Sequence, residues 1–242
     1  MFNYKIERVL FVILWITFIY ILSVRAPPQT ISLLVQYQFA LSSLIITLLI
    51  YCIYKNIINH IYSKKIKDLI LKNDIKLALD YVSKFIKKQP RIYWLKAKKL
   101  ELLLLIGDIC GYQASRAVFS CRKKTILNYV GMLDNIIAFL RQEKIDESVL
   151  TNNINKCQSL LEKTNYLLCN KNKLPNDNLI LLASETYNTC VKFYRCISSV
   201  ILSVCYKKAG DVDNKMMYAE KAIDNAPSSE VKHYVEFILS KS

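Results

Sequence analysis

The stretch "GDVDNKMMYAEKAIDNAP", residues 210–227, decides the fold, because a stretch of the same layout, "NDIKLALDYVSKFIKKQP", occupies residues 73–90. Each begins with a permissive turn residue and an Asp suited to capping a helix, and each ends on a Pro that a helix does not continue through. The turn residues are Asn73 and Gly210, and the closing prolines are Pro90 and Pro227. Both stretches therefore predict a turn, a helix and a stop.

Apolar residues in the two stretches recur at intervals of three and four, which is typical of a helix that packs one face on a partner. In the first stretch the predicted buried face comprises Ile75, Ala78, Leu79, Val82, Phe85 and Ile86. In the second stretch it comprises Val212, Met216, Ala219, Ala222 and Ile223. The alanines stand where two helices would cross, since a small side chain allows close approach.

A further helix is predicted ahead of each stretch, so that each unit resembles the tetratricopeptide repeat, whose period is about 34 residues. Asn73 and Gly210 are 137 positions apart, close to four periods, and Gly107 lies one period beyond Asn73. The next two turns are expected near Arg141 and Pro175. For any single match, an ordinary helical hairpin is the alternative interpretation.

The middle of the chain fits the repeat less well. Lys124, Gln158 and Lys192 stand where closing prolines are expected, and the last two lie in runs, 147–169 and 178–209, that predict unbroken helices. The sequence therefore predicts either degenerate repeats or a pair of long antiparallel helices in this region.

Most of the apolar surplus lies in the first sixty residues and predicts a membrane hairpin over residues 1–58, with spans at about 9–25 and 38–58. The loop between them opens on two prolines and then alternates polar and apolar residues, which predicts a short extended piece. A cleaved signal peptide is the alternative for the first run, with Lys5 and Arg8 as its basic start.

Basic residues near the ends of the two spans predict their orientation. Lys5 and Arg8 precede the first span, four lysines follow the second, and only Arg25 lies between the spans. Both termini are therefore expected on the cytoplasmic side of a bacterial inner membrane, with residues 59–242 as a helical repeat domain there. The expectation survives cleavage of the first run, because the second would still stop transfer.

The chain carries a formal net charge of +15, and its basic residues are concentrated after the second span. Five lysines there are predicted to face anionic lipid: Lys64, Lys65, Lys67, Lys72 and Lys76. Basic residues near such a surface gain roughly 1 kcal/mol each. A coding bias toward Lys, Ile, Asn and Tyr is the alternative explanation. Nucleic acid is not expected as a partner, because the aromatic residues of this segment fall mainly on apolar helix faces.

The sequence contains few residues in patterns suited to catalysis, cofactor binding or metal binding. Gly107, Gly111, Gly131 and Gly210 are the only glycines, and their spacing excludes the glycine-rich loops that bind nucleotide phosphates. The two histidines, His60 and His233, lie far apart, and none of the eight cysteines forms a C-x-x-C pair. The sequence therefore predicts no enzymatic activity, no cofactor and no metal site.

The order of segments resembles the HemY family of proteobacterial inner-membrane proteins. The similarity is carried by "APPQTISLLVQYQFALSSLIITLLIYCIYK", residues 26–55, followed by "DIKLALDYVSKFIKKQP" as a first repeat. The chain is shorter than typical members and lacks a loop Trp-Gly often found there. The resemblance implies an association with late haem biosynthesis, without catalytic residues to transfer. The same family name is used for an unrelated flavin-dependent oxidase, against which the missing glycine motif argues.

We expect an all-α protein with two N-terminal transmembrane helices followed by a tetratricopeptide-like α-solenoid. Its expected function is that of a non-enzymatic scaffold that binds other proteins through the repeat surface, with haem-biosynthesis enzymes as the partners that the resemblance implies. The alternatives are a general membrane-anchored adaptor unrelated to haem and an enzyme of unrecognised type.

Overall fold

The computed structural model describes residue 15 and residues 33–88, 92–149, 157, 159–189 and 191–241. Over these residues the regular structure is helical throughout, and they contain no strand, which confirms the all-α prediction. With so few glycines and prolines, the chain has little sequence that would interrupt helices. The predicted first span, apart from residue 15, and Pro90 lie outside the described residues.

Ten α-helices are described, and the first is much the longest, since α1 covers Leu33–Leu71. The next four are α2 (Ile75–Lys88), α3 (Tyr93–Ile106), α4 (Ile109–Ala117) and α5 (Lys124–Leu140). After a 3₁₀ turn at Glu147–Val149 come α6 (Leu160–Asn170), α7 (Asn176–Tyr187), α8 (Lys192–Lys208), α9 (Val212–Asp224) and α10 (Ser229–Lys241).

Four helices end in the same type of turn. Asn73, Gly107, Gln142 and Gly210 have φ values of 60°, 78°, 58° and 76°, in the left-handed region. At each, the left-handed residue donates its N–H to the carbonyl three residues back, and the next residue donates to the carbonyl five back. This is the Schellman arrangement, which satisfies carbonyls at a helix end. The four positions are 34, 35 and 68 residues apart in turn.

An acidic residue follows each of these turns, and two of them cap the next helix. Asp108 accepts a hydrogen bond from the N–H of Gly111 at 2.7 Å, and Asp211 accepts one from the N–H of Asn214 at 3.0 Å. Each carboxylate satisfies an amide that would otherwise lack a partner at the helix start. The turn near Pro175 differs, because α6 ends in αR geometry at Lys171 and Pro175 itself is the N-cap of α7.

The prediction of unbroken helices over 147–169 and 178–209 is wrong. The first run contains a 3₁₀ turn and a separate helix beginning at Leu160, and the second is interrupted between Tyr187 and Lys192. A contact joins the two helices across the second break, where the hydroxyl oxygens of Thr186 and Ser198 lie 2.7 Å apart. Lys124 and Lys192 are both first residues of helices, so that breaks occur there without a proline.

The short extended piece predicted over residues 26–39 is helical in its described part, and its residues 26–32 lie outside the described residues. Residues 33–39 belong to α1, which continues as one helix to Leu71. Extending an existing helix adds one hydrogen bond for each residue fixed, so a helix readily propagates into a segment of mixed polarity.

The chain divides into two compact units, Met1–Lys67 and Asp68–Ser242. The boundary lies inside α1, nine residues beyond the predicted boundary at 58, because α1 crosses that position without a break. Among the described residues, no helix combines the length and the apolar character that crossing a bilayer requires.

Within the second unit, helices that follow one another pack together, and α3 also contacts α5. Two contacts join elements that are distant in sequence: α3 lies against α8, and α10 lies against α5. An open stack of repeats, in which each repeat contacts only its neighbours, does not contain such contacts. The unit therefore closes on itself, and its last helix returns to the α3–α4 turn.

Candidate functional site

The residues predicted to pack the repeats are distributed along the second unit. Ala78, Val82 and Ala222 are completely buried, and Ala219 and Pro227 are half-buried. Asn73, Gly107 and Gly210 are the left-handed turn residues described above. Of this set, the structure brings together Gly107 and Pro227: a Cβ added to Gly107 would lie 3.1 Å from Cγ of Pro227.

The predicted buried face of α9 is wrong at its first turn. Val212 and Met216 are 62 % and 58 % exposed. Contact with α8 instead runs through Tyr218, whose ring stacks on that of Tyr206 with centroids 5.5 Å apart. The side chain of Lys221 is half-buried, with its ammonium 4.8 Å from the centroid of Tyr218.

The predicted lipid-facing lysines are all exposed. Lys64, Lys65 and Lys67 lie in α1 within the first compact unit, whereas Lys72 follows α1 and Lys76 lies in α2 within the second. Three of the five are thus on one helix, next to the apolar part of that helix.

Apolar side chains are exposed over a continuous part of α1. Ile45, Ile46, Leu49, Ile50 and Ile53 are each about half exposed or more, and residues 40–54 contain no charged residue. A helix that is apolar on all sides is typical of a protein interior or a bilayer rather than of a surface in water.

A buried carboxylate joins three helices of the second unit. Glu101 of α3 is 7 % exposed, and it accepts hydrogen bonds from the phenol of Tyr129 in α5 and, at 3.3 Å, from that of Tyr194 in α8. Lys98, one turn earlier in α3, pairs with the same carboxylate. Burial, followed by the charge of Glu101, raises the pKa of both tyrosines well above its ordinary value. The cluster is fully paired and lies where α3 meets α8, so its geometry serves to hold the closed arrangement.

A second carboxylate braces α4 on α5. Asp134 accepts a hydrogen bond of 2.6 Å from the phenol of Tyr112 and pairs with Nε of Arg116 at 2.9 Å. Burial, then Asp134, raises the pKa of Tyr112. Neither carboxylate cluster leaves an acid or base directed into an open cleft, which catalysis would need.

Two amides hold the segment that follows α5. Asn135 donates to the carbonyl of Asp146 at 2.9 Å and to Oδ1 of Asn165 at 2.8 Å, and its own Oδ1 accepts from the N–H of Asp146 at 2.8 Å. These bonds satisfy the buried side chain of Asn135 and fix the loop over residues 143–148, which borders a cavity of about 860 Å³.

A smaller cavity of about 330 Å³ adjoins the first, and Glu143, Lys171 and Asn172 line both. Its wall is largely apolar and comes from three helices, whereas two lysines, Lys171 and Lys208, stand at its edge. Burial, followed by repulsion from Lys208, lowers the pKa of Lys171.

The cysteines of the described residues are free thiols, and Cys157, Cys169, Cys196 and Cys205 are buried. Burial raises the pKa of the Cys196 thiol to about 12, so that this residue stays protonated and acts as a small apolar side chain. Within the described ranges, no group of three or more His, Cys, Asp or Glu side chains is placed to hold a metal ion.

Sequence reasoning missed Glu101 and both lysines of the smaller cavity. Glu101 follows "KKL" in a charged and apolar run that gives no sign of burial, and its partners are 28 and 93 residues away. Lys171 and Lys208 belong to unremarkable lysine-rich helix ends. Only the closure of the chain brings Glu101 to its two tyrosines, and the two lysines to one cavity.

Comparison with known proteins yields no match among family models, curated proteins or solved structures.

Proposed function

We propose that this protein is a non-enzymatic, membrane-anchored helical scaffold that binds other proteins. The observation that carries the proposal is the exposed apolar surface of α1, since water-exposed isoleucines and leucines over several turns are costly without a cover. Residues 38–58 lie entirely within α1 and measure about 31 Å along a helix, which matches the roughly 30 Å of a hydrocarbon core.

The exposed lysines support the same placement. The first of the exposed lysines, Lys64, lies just under two turns beyond residue 58, where the proposed span ends. Lys64, Lys65 and Lys67 would therefore lie at the depth of the lipid headgroups. Their side chains combine an aliphatic stem with a charged end, so that they suit an interface between hydrocarbon and water. The proposed orientation keeps both termini on the cytoplasmic face of a bacterial inner membrane.

The helical hairpins of the second unit support a scaffold rather than an enzyme. Their turns recur at intervals close to the tetratricopeptide period, and their charged clusters pair internally. We propose that they are tetratricopeptide-like repeats closed by the final helix, and that partner proteins bind their outer surface. The association with late haem biosynthesis rests on the family resemblance, which points to haem-biosynthesis enzymes as the partners.

Thiol labelling tests the proposed topology. Cys110 is the exposed reporter on α4, whereas the four buried cysteines react poorly on either side of a membrane. A membrane-impermeant maleimide added to intact spheroplasts should leave Cys110 unmodified and should label it after lysis. A Cys110→Ser variant identifies the signal. Labelling of Cys110 before lysis would place the second unit on the opposite face.

Vesicle binding tests the lipid contact. A fragment of residues 57–242 keeps the whole of the second compact unit together with the lysines. It should bind acidic vesicles at low salt and dissociate near 0.5 M, where the Debye length falls to about 5 Å or less. Equal binding to neutral vesicles would mean that the lysines do not recognise lipid charge. Purification of the full chain in detergent, with bound proteins identified by mass spectrometry, then separates haem-biosynthesis enzymes from unrelated partners.

A further inference from the structure

The smaller cavity has the form of a binding site for a small molecule. It lies in the second compact unit, between α5, α8, α10 and the turn that follows α6, and its volume of about 330 Å³ is at the lower end of the range for such sites, roughly 300–1,000 Å³. The wall is formed by Phe139, Ile201, Val204 and Ile238, and all but Val204 are buried.

Two cations border this apolar wall. Lys171 is half-buried, with its ammonium 5.0 Å from the centroid of the Phe139 ring, and Lys208, the last residue of α8, lines the same cavity. Within the described part of the chain, neither lysine lies within 4.0 Å of a carboxylate. A partly desolvated ammonium beside a second one is unfavourable unless an anion joins them. Burial, followed by repulsion from Lys208, lowers the pKa of Lys171, so that an anion bound beside it would favour its charged form.

One acidic residue, Glu143, also lines the cavity, so that its border carries a net charge of one positive unit. That charge balances a monoanion and would leave a dianion with an excess. The apolar wall offers few partners for a polar ligand, which excludes a sugar or a free phosphate by the cost of unsatisfied polar groups. The volume is small for a dinucleotide.

We propose that this cavity binds an amphipathic monoanion, a carboxylate on a medium-length aliphatic chain. The chain would lie against Phe139, Ile201 and Ile238, and the carboxylate would lie between the ammonium groups of Lys171 and Lys208. Asn172 and Gln142 also line the cavity and are exposed, and their amides would donate to the same carboxylate. This ligand satisfies the two cations and the apolar wall together.

Equilibrium dialysis with radiolabelled decanoate tests the proposal on the full chain held in phosphatidylcholine nanodiscs, with binding to empty nanodiscs subtracted. We expect one saturable equivalent of decanoate. Lys171→Met and Lys208→Met should each raise the dissociation constant about tenfold or more, since each removes a charge-assisted contact. Lys207→Met is the matched control, because Lys207 is exposed, lies next to Lys208 and does not line the cavity, and it should change binding less than twofold by the same reasoning.

Each other result overturns the proposal. Absence of saturable binding would mean that the cavity holds no such ligand. Equal competition by decanol would mean that the wall binds any aliphatic chain and that the lysines play no part. A loss with Lys207→Met as large as with Lys208→Met would indicate a general effect of net charge. Because Lys208 is exposed, its replacement leaves the fold intact and keeps the test informative should Lys171→Met unfold.

Discussion

Side-chain size at the helix crossings decides how closely the hairpins of this protein pack. Ala78 in α2 and Ala222 in α9 are completely buried, Ala78 in the first of the two similar stretches and Ala222 in the second. Larger residues stand at the neighbouring positions and are at least partly exposed. A small side chain at the crossing therefore permits close approach of the two helix backbones, whereas larger side chains are accommodated on the rest of the helix surface.

Ala222→Leu should destabilise the second unit by about 1–3 kcal/mol, because added methylenes overpack a site with no free surface. Glu220→Leu is the matched control: Glu220 is exposed on the same helix, and its replacement should change the unfolding free energy by less than about 0.5 kcal/mol. Lys221 does not serve as this control, since its ammonium lies over Tyr187 and Tyr218. Chemical denaturation of the 57–242 fragment compares the two, and equal losses would contradict the crossing at Ala222.

Buried phenols should make the protein sensitive to alkali. Burial, then a nearby carboxylate, raises the pKa of Tyr112 and Tyr194 in the folded state, so the unfolded chain releases these protons first as pH passes about 10. The stability they contribute is complete below that pH and falls above it by about 1.4 kcal/mol per pH unit for each tyrosine. Denaturation between pH 8 and 11 measures the slope, roughly over the range where phenols titrate.

Tyr194→Phe should reduce this slope by the share of one tyrosine, while the exposed Tyr93→Phe controls for loss of a hydroxyl. A slope that is unchanged in the Tyr194 variant would mean that its phenol ionises as readily in the folded protein as in the unfolded chain.

At the scale of elements, the four left-handed turns determine where one helix ends and the next begins. Each places a residue that tolerates positive φ directly before an acid, and both features are visible in the sequence at Asn73, Gly107 and Gly210. The turn at Gln142 was expected only near Arg141, because Gln is an uncommon left-handed residue. Turn chemistry is local, so these positions could be predicted. The break before Lys192 could not, because no glycine or proline marks it in the sequence over residues 187–192.

Gly107→Ala should destabilise the protein more than Gly210→Ala. Both glycines have φ near 77°, so alanine costs about 1–2 kcal/mol at either site for the left-handed conformation. At Gly210 an added Cβ meets nothing within 4 Å, but at Gly107 it would lie 2.7 Å from Cβ of Ser228. The difference between the two variants, measured by chemical denaturation, isolates this contact.

Ser228→Gly combined with Gly107→Ala should recover part of the extra loss, because it removes the Cβ and the hydroxyl that the alanine meets. Equal destabilisation by the two glycine variants would mean that α10 moves away from the turn without cost.

At the scale of the whole molecule, the second compact unit differs from an open stack of repeats in that its two ends are in contact. Ser228 donates to the carbonyl of Gly107 at 2.8 Å, and the carboxylate of Glu230 accepts from the N–H of Ile109 at 3.2 Å. The residues of each pair are 121 positions apart and carry no shared motif, which is why the sequence predicted an α-solenoid without this closure. The candidate cavity could not be predicted for the same reason, since α5, α8, α10 and the turn after α6 form it only after closure.

Because the second unit is closed, a substitution in α10 should also increase local opening at the start of α4. Glu230 accepts at the N-terminus of α4, where amides lack helical partners and a carboxylate is favourable, so Glu230→Gln weakens a charge-assisted bond without changing size. Amide hydrogen exchange followed by mass spectrometry should show faster exchange both in α10 and in residues 109–113, and no change in α2. Glu236→Gln is the matched control, because Glu236 is exposed on α10 and pairs only weakly with Lys232, at 3.9 Å. If Glu230→Gln accelerates exchange in α10 alone, the two ends are not coupled. In that case the second unit behaves in solution as an open array, in which the loss of one contact is confined to its own repeat.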